Sequence, residues 1–141
     1  MVAETSFVVR IPTALYEEMV AHVSAGYPNE TCGALGCKGD LVVKHYPTAN
    51  AAEHPDDYSE IGGKDRLRIL YDIDEYDGEM IYYHSHPITE ARPSARDISV
   101  ARVNGYLYLI FSHQYYPEPP YARIFRITSD GTVTEGKVIV S

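Results

Sequence analysis

EMIYYHSHPITEARPSARD, residues 79–97, opens as a strand-like alternation and closes as the start of a helix. In a strand, side chains two apart share a face, so His84 and His86 project together where Pro87 ends the strand, with Ser85 turned away. Two imidazoles on one face can share a metal ion, although a His-x-His pair at a strand end also serves simply to hydrogen-bond a loop. Ser94 and Asp97 follow at the Ser-x-x-Asp spacing of a helix start, in which the serine caps the first turn and the acidic residue gains from the helix dipole. Capping and ligation are compatible. A helix whose amino end aims at the strand end places the Asp97 carboxylate beside both imidazoles. Two histidines, one carboxylate and an open fourth position describe a catalytic zinc centre, whereas a closed structural one is usually richer in cysteine.

Outward from this stretch, SFVVRI (6–11) reads as a strand stopped by Pro12. Thr13 is placed to cap a helix running to about Ala25, with Gly26 at its carboxyl end and Leu15, Tyr16, Met19, Val20 and Val23 as its apolar stripe. PNETCGALGC (28–37) passes from a loop into an apolar strand, and Lys38-Gly39-Asp40 turns it into LVVKHY (41–46), a hairpin. Ile69, Leu70, Ile73 and Tyr76 recur on one face of a helix over 63–77. The acidic run from Asp72 to Glu79 follows no calcium-loop pattern and reads as a solvated face. GYLYLIFS (105–112) is a buried strand, and 122–128 and 132–140 are two strands joined by a tight turn at Asp130-Gly131. Strands outnumber helices in mixed order, which favours an α+β or α/β three-layer domain over a barrel.

The 141 residues fit one domain, 1–141, and the balance of 12 Lys and Arg against 20 Asp and Glu sets a net charge of −8. That charge argues against nucleic acid and against an anionic membrane surface as partners. The longest apolar run, Tyr106 to Phe111, is six residues, far below the roughly 20 of a spanning helix. MVAETSFVVRIP lacks the basic start and apolar core of a signal peptide, so the cytoplasm is expected. Cys32 and Cys37 have neither redox nor zinc-knuckle spacing and read as small buried thiols.

Glu30, then His84-Ser85-His86, seven residues, Ser94, two residues and Asp97 resemble the Glu…His-x-His-x₇-Ser-x-x-Asp signature of the JAMM (MPN-plus) metalloproteases. The setting Pro28-Asn29-Glu30-Thr31-Cys32-Gly33 is similar to the P-x-E-x-C-G context of bacterial members. The resemblance covers nearly the whole chain. It implies a cytidine-deaminase-like three-layer α/β/α fold around a mixed, mostly antiparallel sheet, with zinc as cofactor. By resemblance His84, His86 and Asp97 are the metal ligands, Glu30 the general base and then acid, and Ser94 the donor to the oxyanion. Family members cleave the amide bond after the Gly-Gly end of ubiquitin or a ubiquitin-like protein. Compact and without the insertions that grip ubiquitin, this chain is closest in kind to small stand-alone bacterial members. The loop Thr89-Glu90-Ala91-Arg92-Pro93-Ser94 is similar to that of members releasing cysteine from a sulfur carrier protein.

Such a Gly-Gly tail is expected to pair as a strand with an exposed sheet edge near the metal. Arg92 or Arg96 is placed to bind the carboxylate of a released residue, though both also read as solvated arginines; Cys32, two residues from Glu30, either lines the site or is simply buried. Competing zinc folds fit less well. Nucleobase deaminases need His-x-Glu and Pro-Cys-x-x-Cys, which are absent, and amidohydrolase barrels need about 250 residues. The remaining alternative is a non-catalytic MPN-type interaction scaffold, a class that typically lacks the ligands this chain carries.

Overall fold

The computed structural model describes residues 7–141, so Ser6 of the expected first strand and the amino-terminal segment read above lie outside the described residues. The elements run β1 (Val8–Ile11), α1 (Thr13–Gly26), β2 (Cys32–Lys38), β3 (Leu41–Pro47), α2 (Gly63–Asp74), β4 (Glu79–His86), α3 (Ala95–Asn104), β5 (Leu107–Ser112), β6 (Tyr121–Ile127), β7 (Val133–Glu135) and β8 (Lys137–Val140). One mixed sheet holds all eight strands in the order β7-β6-β5-β4-β2-β3-β1-β8. β2 pairs antiparallel with β3 and β4, and β6 antiparallel with β5 and β7, while β4–β5, β1–β3 and β1–β8 are parallel. A parallel pair needs a crossover, and α3 supplies it between β4 and β5.

Helices cover both faces because the strands are apolar on both. Met19 and Val23 of α1 pack with Ile11, Leu35, Ile81, Tyr83, Leu109 and Phe111. On the opposite face, Ile69 and Ile73 of α2 meet Ala34, Tyr46 and Met80, and Ala101 of α3 meets Tyr108 and Ile127. Successive residues of β4 therefore alternate between the α1 side (Ile81, Tyr83) and the α2/α3 side (Met80, Tyr82, and onward to His84 and His86). Tyr83 is wholly buried, and its ring comes within 2.5 Å of where a Cβ on Gly33 would stand, so only glycine fits there.

Gly26 stands at the carboxyl end of α1 as expected, with Tyr27 as the cap and Pro28 next, which has no N–H to continue the ladder. Three local expectations are corrected. Pro12, not Thr13, is the N-cap of α1, without a side-chain cap; its carbonyl accepts from the Tyr16 N–H at 3.0 Å, so the helix begins one residue early. α2 ends at Asp74, because Asp77 takes a positive φ of 53° and Gly78 N–H turns back onto the Ile73 carbonyl at 3.1 Å. Finally, 132–140 is two strands. β7 completes the hairpin with β6, but β8 lies at the other edge against β1. Gly136 makes this step, donating to the Ile124 carbonyl at 2.9 Å while Lys137 N–H bonds the Phe7 carbonyl at 2.8 Å. A Cβ on Gly136 would stand 2.5 Å from the Phe7 ring. The sheet is thus curled until its two edges approach.

β2, β4 and β5, which lead to the site, all have neighbours on both sides, so none of them offers the free sheet edge expected near His84 and His86. Among the described residues, no helix is long and apolar enough to cross a membrane.

Candidate active site

The carboxyl end of β4 delivers His84 and His86 to the α3 side of the sheet, and the amino end of α3 delivers Asp97 to the same point. Ser94 is the N-cap of α3: its Oγ accepts from the Asp97 N–H at 3.0 Å, and Asp97 Oδ2 accepts from the Ser94 N–H at 2.9 Å. This reciprocal box fixes where the helix starts and where the carboxylate points. Nε2 of His84 and Nε2 of His86 lie 3.2 Å apart, Asp97 Oδ1 lies 3.2 Å from the first and Oδ2 3.1 Å from the second. Zinc bonds of about 2.0–2.1 Å set tetrahedral donor separations of about 3.3–3.4 Å. The donor set therefore fits zinc in identity and number, and one donor atom from each residue lies within 4.8 Å of the others. Nδ1 of His86 donates to the Glu90 carbonyl at 2.9 Å, which orients Nε2 toward the cluster as the nitrogen that would bind a metal on losing its proton.

Burial and charge oppose each other here. Burial resists ionisation of Asp97, yet the adjacent His84, hydrogen bonds from both imidazoles and the Ser94 N–H hold its carboxyl well below the usual range. Burial lowers the His86 pKa, but the bonds to Asp97 and the Glu90 carbonyl outweigh it and leave the value raised. Glu30 is pushed up to about 7, chiefly by burial, against the pull of His84 and His86.

Glu30 precedes β2, where Cys32 stands directly across from His84. Ser85, on the far side of its strand from the histidines, clamps this junction: its Oγ accepts from the Thr31 N–H and its own N–H donates to the Thr31 carbonyl, both at 2.9 Å. The residue between the two histidines thus positions the glutamate loop.

Residues 12–128 match the family model for prokaryotic homologs of the JAB domain. The chain belongs to the JAB, or JAMM, family. Over 140 residues it is 36% identical to the CysO-cysteine peptidase of Mycobacterium tuberculosis, covering 96% of this chain and 93% of that protein. A solved structure of protein DSY2949 from Desulfitobacterium hafniense is similar with a TM-score of 0.80 at 34% identity, covering 94% of this chain and 92% of that one. A JAB1/MPN domain protein of Archaeoglobus fulgidus, AF2198, shares the fold at 16% identity and a TM-score of 0.56, covering 93% and 96%.

In this JAB domain the expected auxiliary residues fare differently. Arg92 is exposed, with its guanidinium 3.4 Å from Glu90. Arg96 lies flat over the Tyr58 ring, 3.6 Å from its centre, at a cavity of about 490 Å³ that Asp97 and Tyr82 also line. Cys32, expected either to line the site or simply to be buried, has no exposed surface, and its thiol bonds Thr48 Oγ1 at 3.5 Å and the Ala49 carbonyl at 3.7 Å.

Sequence reasoning missed Asn50. Its Nδ2 donates to the Glu30 carbonyl at 2.9 Å and the Tyr58 carbonyl at 3.0 Å, while its Oδ1 accepts from the N–H groups of Ala52 and Glu60, both at 3.0 Å. The Asn50-to-Ala52 bond is an ordinary Asx turn, legible in principle, but the bond to Glu30 spans 20 residues and has no local signature. Asn50→Ala removes one partner from four bonds, three of them half-buried. It is expected to cost about 2–3 kcal/mol, read as a lower urea midpoint; an unchanged midpoint contradicts a stapling role.

Proposed function

We propose that this JAB domain is a zinc metallopeptidase. It hydrolyses the amide bond after the carboxyl-terminal Gly-Gly of a ubiquitin-like or sulfur carrier protein, with cysteine as the released residue. The convergence of His84, His86 and Asp97 donor atoms at 3.1–3.2 Å carries the zinc assignment. The relative named CysO-cysteine peptidase supports the substrate class. When bound, zinc polarises the scissile carbonyl and brings the pKa of its water to about 7.

The chain's own residues do the remainder. Glu30 takes a proton from the attacking water and delivers it to the leaving amine as the C–N bond breaks. Ser94 spends a lone pair on its cap, so its O–H remains free to donate to the oxyanion. Arg96, held flat on Tyr58 beside Asp97, or Arg92 takes the carboxylate of the released cysteine. In this reading the layering around the sheet is of the cytidine-deaminase kind, the domain works in the cytoplasm, and the charge of −8 steers a basic surface around the carrier's tail. The decisive experiment incubates zinc-loaded protein with carriers extended past Gly-Gly by cysteine or by other residues. Mass loss equal to the added residue is expected, fastest for cysteine. No cleavage at full zinc occupancy overturns the peptidase, and failure to retain zinc favours the scaffold.

A further inference from the structure

The direction in which His86 points is set by a main-chain carbonyl four residues further on, so whatever holds that carbonyl bears on the metal site. The Glu90 carbonyl accepts from His86 Nδ1 and from the Arg92 N–H, both at 2.9 Å. It belongs to the loop 87–93, in which Ile88, Thr89, Glu90 and Arg92 are exposed while Ala91 is buried against Ile110, Phe125 and Tyr121. A loop that buries so little of itself keeps one position only where its main chain finds partners. They come from the segment that begins at the end of β5. Ser112 stands beside His86 in the parallel β4–β5 ladder; its Oγ donates to the Thr89 carbonyl at 2.5 Å and accepts from the Gln114 N–H at 3.0 Å. The Tyr121 hydroxyl accepts from the Ala91 N–H at 3.3 Å and donates to Gln114 Oε1 at 2.7 Å. Each hydroxyl has a single proton and gives it to an oxygen that can only accept, so the direction of every bond is fixed.

We propose that Ser112 and Tyr121 are positioning residues for the metal ligand His86. They pin the residues on either side of Glu90, and the carbonyl between them then aims His86 Nε2 at the point it shares with His84 and Asp97. An imidazole free to turn must be ordered as a metal binds, which weakens binding, whereas one already aimed needs no such ordering. The hydroxyls act through the loop and touch neither the metal ligands' donor atoms nor Glu30.

The inference rests on the reading of His84, His86 and Asp97 as a zinc site, and the test separates the two. Tyr121→Phe, which keeps the ring that packs on Ala91, and Ser112→Ala are compared with the parent in three measurements. These are the zinc dissociation constant, the visible ligand-field spectrum of the cobalt(II)-substituted protein, and the thermal midpoint of the metal-free protein. Each variant is expected to bind zinc about 10-fold more weakly and to shift the cobalt bands, because the ligand set is intact but one imidazole is no longer held at its angle. A merely structural role lowers the midpoint and leaves the affinity and spectrum of the folded protein as in the parent. Tyr121→Phe with parental zinc affinity and parental cobalt bands therefore overturns the positioning role, whatever its midpoint, and the same result in Ser112→Ala removes that serine from it. A parent that binds neither zinc nor cobalt overturns the metal reading itself.

Discussion

Glu30→Gln is expected to leave the domain folded and able to hold zinc while lowering kcat by about 10²–10⁴-fold. Glutamine keeps the shape of the side chain, and the loop that carries it is fixed through main-chain bonds to Pro55 and Asn50, which the substitution does not touch. What is lost is the ability to accept and return a proton. A stability measurement on metal-free protein adds an independent sign. Burial raises the Glu30 pKa from 4.5 to about 7, so the folded state favours the neutral acid. The stabilisation of the neutral form is intact below the ordinary carboxylate pKa and is lost as pH rises through about 7, where the buried group must charge. Metal-free Glu30→Gln is therefore expected to gain stability relative to the parent above pH 7, by thermal or urea unfolding. Near-parental turnover in this variant excludes Glu30 as the base.

Asp97→Asn is expected to abolish turnover and to weaken zinc binding by at least about 100-fold, while α3 still begins at the same residue. An asparagine side-chain oxygen can accept from the Ser94 N–H as Asp97 Oδ2 does at 2.9 Å, so the cap survives and the charged ligand does not. The carboxyl of Asp97 is held below its ordinary pKa of 3.8, so it contributes stability above that value and loses it as pH falls through the depressed one. At neutral pH the metal-free variant should then be less stable than the parent, with the gap closing in acid. Zinc binding to the parent must also displace the proton that the raised pKa of His86 retains. Affinity should accordingly fall as pH drops through that value, and calorimetry in buffers of different ionisation enthalpy should detect proton release. Undiminished zinc affinity in Asp97→Asn removes the aspartate from the metal site.

The candidate metal site was legible because its parts are local. Period-two geometry puts His84 and His86 on one face, and Ser94 and Asp97 form a box that needs only a helix start. The order of strands and helices was legible for the same reason. Misplacements arose where a distant group decides the outcome. The single strand expected over 132–140 is broken because Gly136 N–H bonds the Ile124 carbonyl of β6 while Lys137 N–H bonds the Phe7 carbonyl just before β1, on the other side of the curled sheet. Cys32 lies near Glu30 in sequence, but the Thr48 and Ala49 contacts that bury it belong to the far end of the hairpin.

By itself, then, the sequence offered the parts on which the proposed chemistry rests: two histidines and an aspartate of the type that hold zinc, a glutamate in the family's setting, and an acidic balance that argues against nucleic acid. Tertiary structure alone decided how these parts meet. The 3.1–3.2 Å convergence of the three donors depends on the parallel β4–β5 crossover that swings α3 back over the strand end. The placement of the Glu30 loop depends on Ser85 and Asn50, which lie 55 and 20 residues away along the chain. Periodicity and capping act over one or two turns of backbone, whereas a hydrogen bond across the sheet depends on register, and register is set by all the strands together.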